Sequence, residues 1–225
     1  ETERIVQHLT TLGIRRIAVF HQNDSYGQAG LIGVQGALKR RQTEAVAIAT
    51  VERNSVDVAK ALDTLLKAQP EAVVQIGAYK ACAAFIKQAR SRGFGGQFFN
   101  VSFVGSKALA DELGDTGAGV VISQGVPFPY TPSSQIVRDY QAHMAAAGDK
   151  EVDFSSMEGY LIGRVLVEGL RRTGKNLTRD AFIAALETLR EFDLGGFKVS
   201  YSAKDHQGSI FTDLTIVARG GRFVR

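Results

Sequence analysis

Between residues 3 and 123 the hydrophobic pattern keeps switching period, and that alternation limits the possible folds more than any other feature. Residues 3–12 place Ile5, Val6, Leu9 and Leu12 on one helical face, and Gly13 ends the run. Ile17-Ala18-Val19-Phe20 is a short, continuous apolar stretch of the kind a buried parallel strand requires. A polar loop from His21 to Ser25 leads into a helix over 26–41, with Asp24 or Ser25 as its cap. The alternation continues with a strand at 45–51 and a helix over 56–68 carrying Val58, Ala61, Leu62 and Leu65, capped by Ser55 or Asp57. After Pro70 come a strand at 72–76, a helix over 79–92 ended by Gly93, a strand at 97–101, a helix at 105–113 and a strand at 119–123. Strands separated by whole helices predict an α/β fold, a doubly wound parallel sheet with helices on both faces. An antiparallel all-β fold would need strands every 8–12 residues or so, without helices between them.

Beyond residue 125 the rhythm stops. The stretch from Val126 to Pro132 holds three of the four prolines, which makes it stiff and extended, a crossing segment rather than a turn. Helices are expected over 133–147, 156–173 and 178–189, capped by Ser133, Ser155 and Thr178. Residues 194–199 are extended, 210–218 alternate as a strand, and Arg219-Gly220-Gly221-Arg222 turns back into Phe223-Val224. The three helices therefore have no sheet of their own to cover their apolar faces. Exposure is expected at Leu161, Val165, Leu166 and Leu170, which offers a route to a dimer through those helices. At roughly 150 residues per domain, the 225-residue chain amounts to about one and a half domains. The expected division is a complete lobe at 1–125, a crossing segment with the helices of a second, incomplete lobe at 126–205, and strands at 206–225 returning to the first.

Composition removes several function classes. The apolar fraction of 44% and charged fraction of 22% describe a globular chain, not a disordered or fibrous one. Cys82 stands alone, and the four histidines are scattered without metal-ligand spacing, so neither a metal nor a cofactor is called for. No apolar run reaches the length of a membrane span. The net charge of +4 comes from pairs such as Arg15-Arg16 and Arg171-Arg172 at element ends, without interleaved aromatics, and does not indicate a nucleic-acid surface.

Ligands of open α/β sheets sit beyond the carboxyl ends of the strands. Three such ends carry similar chemistry here: Asp24-Ser25-Tyr26-Gly27, Gly77-Ala78-Tyr79 and Val101-Ser102-Phe103. Ser25, Tyr26, Tyr79, Ser102 and Phe103 are accordingly the candidate ligand contacts, tyrosine offering an apolar face and one hydroxyl. Glycines at 27, 30, 33 and 36 fit neither the dinucleotide nor the phosphate-loop spacing and point to close helix packing. Catalytic constellations are poor. Ser102 lacks a GxSxG context, His206 has the surroundings of a turn histidine bonded to backbone, and Cys82 among alanines reads as a small buried hydrophobe.

Asp24-Ser25-Tyr26-Gly27, Gly77-Ala78-Tyr79, Gln88-Ala89-Arg90-Ser91-Arg92-Gly93, Val126-Pro127-Phe128-Pro129, Glu158-Gly159-Tyr160 and Asp205-His206-Gln207-Gly208 follow one another in a series. In that order the series resembles the type I periplasmic solute-binding proteins of branched-chain amino acid ABC transporters. The resemblance implies two α/β lobes closing on a ligand, with this chain lacking the sheet of lobe one, on the order of 100–130 residues. It implies a non-enzymatic, periplasmic receptor without a cofactor, handing a small amino acid or an organic or aromatic acid to a membrane permease. Tyr26 and Tyr79 would be aromatic contacts of lobe two. Ser102 stands where amino-acid binders of the family often place an acid, a departure that favours a carboxylate ligand. Two other classes fit the fold: a hydrolase using Ser102 or His206, and the ligand-sensing part of a cytosolic regulator.

Overall fold

Apolar runs and amphipathic stretches sort into strands and helices in the computed structural model, which describes residues 1–149 and 151–225. The chain forms two compact units, Glu1–Gln124 with Thr212–Arg225, and Gly125–Phe211.

The first unit contains α1 (Thr2–Thr11), β1 (Ile17–Gln22), α2 (Ser25–Lys39), β2 (Ala47–Val51), α3 (Ala59–Lys67), β3 (Ala72–Ile76), α4 (Tyr79–Ser91) and β4 (Gln97–Asn100). A short 3-10 turn at Ser102–Val104 precedes α5 (Ser106–Leu113), and β5 (Val121–Gln124) ends the first pass. The expected doubly wound sheet is present. Its spatial order is β2-β1-β3-β4-β5, all parallel, extended by the two strands nearest the C-terminus: β8 (Asp213–Val217) pairs antiparallel with β5, and β9 (Phe223–Val224) antiparallel with β8. The strand expected at 210–218 is shorter because Ile210 is 99% exposed and finds no partner strand before Asp213 pairs with Gln124.

Both faces of the sheet are covered, which is why β1 and β3 are buried along their whole length. One layer packs Ile5, Leu9, Leu31 and Val34 of α1 and α2 on Val19, Val74 and Phe99. The other packs Leu62, Leu65, Phe85 and Leu109 of α3, α4 and α5 on Phe20, Val73 and Phe98. Phe20 and Phe85 lie 4.5 Å apart between ring centroids, and Phe85 meets Phe98 edge-on at 6.4 Å. Each ring removed from water is worth about 1.5–3 kcal/mol. The glycine series of α2 serves this packing. A Cβ at Gly27 would overlap the Gln22 carbonyl oxygen, and one at Gly30 would come 2.6 Å from Ile76 Cγ2.

The second unit contains α6 (Gln135–Ala146), α7 (Phe154–Thr173) and α8 (Arg179–Leu186), with β6 (Phe192–Asp193) and β7 (Lys198–Val199) paired as a small antiparallel hairpin. The helices are therefore not entirely without strands, although two residues a side make a clip rather than a floor. Phe128, Tyr130 and Phe154 form an edge-to-face cluster at 5.2–6.0 Å. Fully buried Tyr140 closes the α6–α7 contact, its hydroxyl 2.6 Å from Ser156 Oγ.

Capping differs from expectation at three helices. Asp153, not Ser155, caps α7, because its carboxylate accepts the Ser156 N–H while Ser156 Oγ answers the Asp153 N–H. The helix consequently starts two residues early. Ser134 rather than Ser133 precedes α6 and makes no side-chain cap bond, and α3 starts after Val58, which makes none either, while Asp57 Oδ1 accepts the N–H of Ala59, the first residue of α3, at 3.4 Å. Thr178 caps α8 and Asp24 caps α2 as the sequence predicts. Leu161 is buried, contrary to expectation, because it lies in the first half of α7 beside Met157, whereas Leu166 and Leu170 are exposed.

Candidate functional site at the carboxyl rim of the sheet

The chain leaves β1 towards β2 on one side and returns to β3 on the other, so the strand order reverses between β1 and β3. Helix dipoles and loop backbones converge above such a reversal, and open α/β sheets bind ligands there. The candidate residues lie on this rim. Ser25 and Tyr26 are the first two residues of α2, immediately beyond β1. Tyr79 is the first residue of α4, beyond β3. Ser102 and Phe103 form the 3-10 turn beyond β4.

The structure brings two of these into direct contact. The rings of Tyr26 and Phe103 lie 4.8 Å apart, tilted by 48°. Phe103 is 75% exposed, so it covers Tyr26 with one face and offers the other to solvent. The Tyr26 hydroxyl is buried without a hydrogen-bond partner among the described residues. Burial raises its pKa, and it stays a neutral donor at physiological pH. Local chemistry fixes the start of this helix. Asp24 accepts the Gly27 N–H at 2.9 Å, and its carboxyl is held below its usual range by that bond and by Gln22. Tyr79 is half-buried against the α3–α5 layer, whereas Tyr26 packs on the α1–α2 layer, and Ser25 is exposed.

Two groups on this rim were not among the sequence candidates. The Glu1 carboxylate reaches the turn beyond β4: Oε1 accepts the Ser102 N–H at 2.8 Å and the Ser123 hydroxyl at 2.9 Å. Ser123 is fully buried near the end of β5. A signal for Ser123 does exist in the sequence. The apolar strand runs close on polar residues, Gln75 in β3, Asn100 in β4, then Ser123 and Gln124 in β5, and all four are buried. Gln124 donates to Ser106 at 2.9 Å and to Thr215 at 3.1 Å, tying the rim to α5 and β8. No such signal marks Glu1, which meets its partners only across 101 and 122 residues of chain.

The alternative catalytic candidates find other partners. His206 faces the Glu187 carboxylate at 2.9 Å rather than backbone, as an exposed pair on the helical unit. Cys82 is wholly buried and its thiol is pushed up to about 12, which keeps it an unreactive hydrophobe. Among the described residues, no group of acidic, histidine or cysteine side chains is arranged to hold a metal, and no helix is long and apolar enough to cross a membrane.

A parallel sheet with this strand order, flanked by helices on both faces, defines an open doubly wound α/β lobe, and comparison with known proteins places it. The sequence profile described as "Periplasmic binding protein" matches residues 1–218, and the chain belongs to that family. A crystal structure described as a "possible leucine/isoleucine/valine-binding protein" from Rhodopirellula baltica SH 1 superposes with a TM-score of 0.92 at 34% identity, over all of this chain and 63% of that one. A substrate-binding periplasmic protein from Ralstonia solanacearum gives 0.89 at 31%, over all of this chain and 65% of the other. The leucine-specific-binding protein of Salmonella typhimurium is 24% identical over 129 residues, 57% of this chain and 35% of its own length. The chain thus spans about a third of that relative and under two thirds of the two solved structures.

Proposed function

We propose that this chain is the larger part of a non-enzymatic solute receptor of an ABC importer, working in the periplasm. The unit built on the seven-stranded sheet supplies one wall of the ligand site of the complete two-lobed receptor. The ligand is a small amino acid or a related carboxylic acid, held when the lobes close and then presented to a membrane permease. The observation that carries this reading is the rim at the strand reversal. Tyr26 stacked on Phe103, Tyr79 and the Ser102 turn offer apolar faces and neutral hydroxyls, and no nucleophile–base pair. Such a surface recognises a small molecule without transforming it. Membership of the periplasmic binding protein family supports the same reading.

The test is a thermal-shift screen of the full-length protein against leucine, isoleucine, valine, aromatic amino acids and simple carboxylic acids. Ligand bound only by the folded state raises the melting temperature by mass action. The expected result is a concentration-dependent rise with at least one amino or organic acid, lost in Tyr26→Ala. Stabilisation by nucleotides or sugars alone would overturn the proposal.

A further inference from the structure

Beneath the rim, two neighbouring side chains bury three polar atoms that have no partner among the described residues. Gln75 and Asn100 stand opposite each other in the β3–β4 register, and both are wholly buried. Val73 and Phe98, two residues earlier, belong to the core under α3, α4 and α5, so by strand alternation Gln75 and Asn100 face that layer too. Gln75 Nε2 donates to the Cys82 carbonyl of α4 at 3.4 Å, while Gln75 Oε1 accepts from no described residue. Neither Oδ1 nor Nδ2 of Asn100 is bonded, so exchanging the two ends of the amide would satisfy neither. Each such atom, left unpaired, lowers the folding equilibrium constant about fivefold to a hundredfold. Protein interiors meet such atoms with other protein groups or with ordered water.

The surroundings define what can meet them here. β4 lies between β3 and β5, so Asn100 is flanked by Gln75, tied to α4, and by Gln124, which donates to Ser106 of α5 at 2.9 Å. Asn100 therefore faces the seam between α4 and α5. The buried residues in the first turns of these helices, Ala81, Cys82 and Ser106, are small, whereas Phe85, Ile86 and Leu109 fill the layer further along. Every group at this end is neutral: amides, a hydroxyl and the protonated Cys82 thiol. An ion would be desolvated there without a counter-charge. A neutral molecule that both donates and accepts, and is one heavy atom in size, matches a carbonyl oxygen beside an amide.

We propose that the Gln75–Asn100 pair is an internal water site, in which at least one ordered water bridges Gln75 Oε1 and the Asn100 amide beneath the α4–α5 seam. The water donates to Gln75 Oε1 and accepts from Asn100 Nδ2. It joins β3 to β4 just before the segments that carry Tyr79 and Ser102, and so helps to fix the spacing of those two strand ends. The site stands on the sheet alone and holds whatever solute the rim takes.

A high-resolution crystal structure of the full-length protein, together with water–amide nuclear Overhauser measurements in solution, tests this. The expected results are water density within about 3.2 Å of both Gln75 Oε1 and the Asn100 amide, and cross-peaks at the water frequency from the side-chain NH2 groups of both residues. Asn100→Leu replaces the amide by an apolar group of similar size, and the cross-peak from the Gln75 NH2 should then be lost. Should that variant not fold, the two measurements on the parent decide by themselves. A direct hydrogen bond between the two amides, with no density at the bridging position, would overturn the proposal. So would the lack of cross-peaks in the parent, or a Gln75 cross-peak that persists in a folded Asn100→Leu. A peak held at cation distances of about 2.0–2.6 Å would overturn it as well, by making the occupant an ion.

Discussion

The two units treat their apolar residues differently. In the sheet-bearing unit α1 turns Ile5, Val6 and Leu9 fully inward, and α4 does the same with Cys82, Phe85 and Ile86. In the helical unit the 20-residue α7 buries Phe154, Met157 and Leu161, while Ile162 and Val167 remain 62% and 63% exposed, and Leu166 and Leu170 are exposed too. The difference lies in what each helix has to lie on. A five-stranded parallel core gives a broad twisted surface that covers several helices at once. A hairpin with two residues a side covers almost nothing. Cohesion should therefore be concentrated in the sheet-bearing unit, while the helical unit holds together through local devices: the Asp153–Ser156 capping box, the Tyr140–Ser156 bond and the Phe128–Tyr130–Phe154 cluster.

The largest effect expected from this contrast is at Phe98. Its ring is wholly buried between Phe85 and Phe94, and Phe98→Ala should cost about 3–5 kcal/mol in urea unfolding. A cost below about 1 kcal/mol would mean that the sheet-bearing unit is not where the cohesion lies. Next is a pair within one helix. Gly27→Ala, which sets a methyl group against the Gln22 carbonyl, should cost about 1–3 kcal/mol. Gly36→Ala meets only the far end of Arg40, at 3.6 Å, and should gain up to about 1 kcal/mol from helix propensity. Equal effects at the two sites would remove close packing as the reason for the glycine series.

The third prediction concerns acid. Arg171 and then Arg172 hold the Glu168 carboxyl at about 2, against an ordinary 4.5. A carboxylate whose pKa is lowered by folding stabilises the folded state above its unfolded value, and loses that contribution as pH falls towards its folded value. The helical unit should thus lose this support between pH 4.5 and about 2, and Glu168→Gln should flatten that part of its stability profile while leaving the pH 7–8 slope unchanged. Identical acid limbs in parent and variant would show that the ion triad does not support the unit. The smallest effect is expected on the open face of α7. Leu166→Gln and Leu170→Gln in the 225-residue chain should each shift stability by no more than about 0.5 kcal/mol, while lowering the fluorescence of a hydrophobic dye. Costs comparable to that of Phe98→Ala would mean the face is already covered.

Much of the fold was legible because its signals are local. Ile17 to Phe20 and Ala72 to Ile76 are apolar at every or nearly every position, which only a strand covered on both faces tolerates. Thr178 and Asp24 sit where a side-chain oxygen can meet the first free N–H groups of a helix. The starts of α6 and α7 were misplaced by one or two residues because several serines compete there, and tertiary contact decides between them: Ser156, not Ser155, also reaches Tyr140. The β6–β7 hairpin gave no periodic signal, since two residues are too few to alternate. Of the candidate site, Ser25, Tyr26, Tyr79, Ser102 and Phe103 could be placed at strand ends because each follows a strand that could be recognised. Their grouping on one rim followed from the strands being parallel, but the contact of Phe103 with Tyr26 did not.

The sequence by itself determined the kinds and order of the elements of the sheet-bearing unit, the inward face of helices such as α3 and the strand ends that carry aromatic and hydroxyl groups, because periodicity and capping are properties of neighbours in the chain. Only the tertiary structure decided that β3 lies beside β1 rather than beyond β2, which puts the strand reversal next to Tyr26. Only there do the Glu1 carboxylate, the Ser102 N–H and the Ser123 hydroxyl come together. Their separation of a hundred residues and more leaves no periodic trace, and the contact exists only once the parallel strands have been laid side by side, with the carboxyl ends of β4 and β5 adjacent.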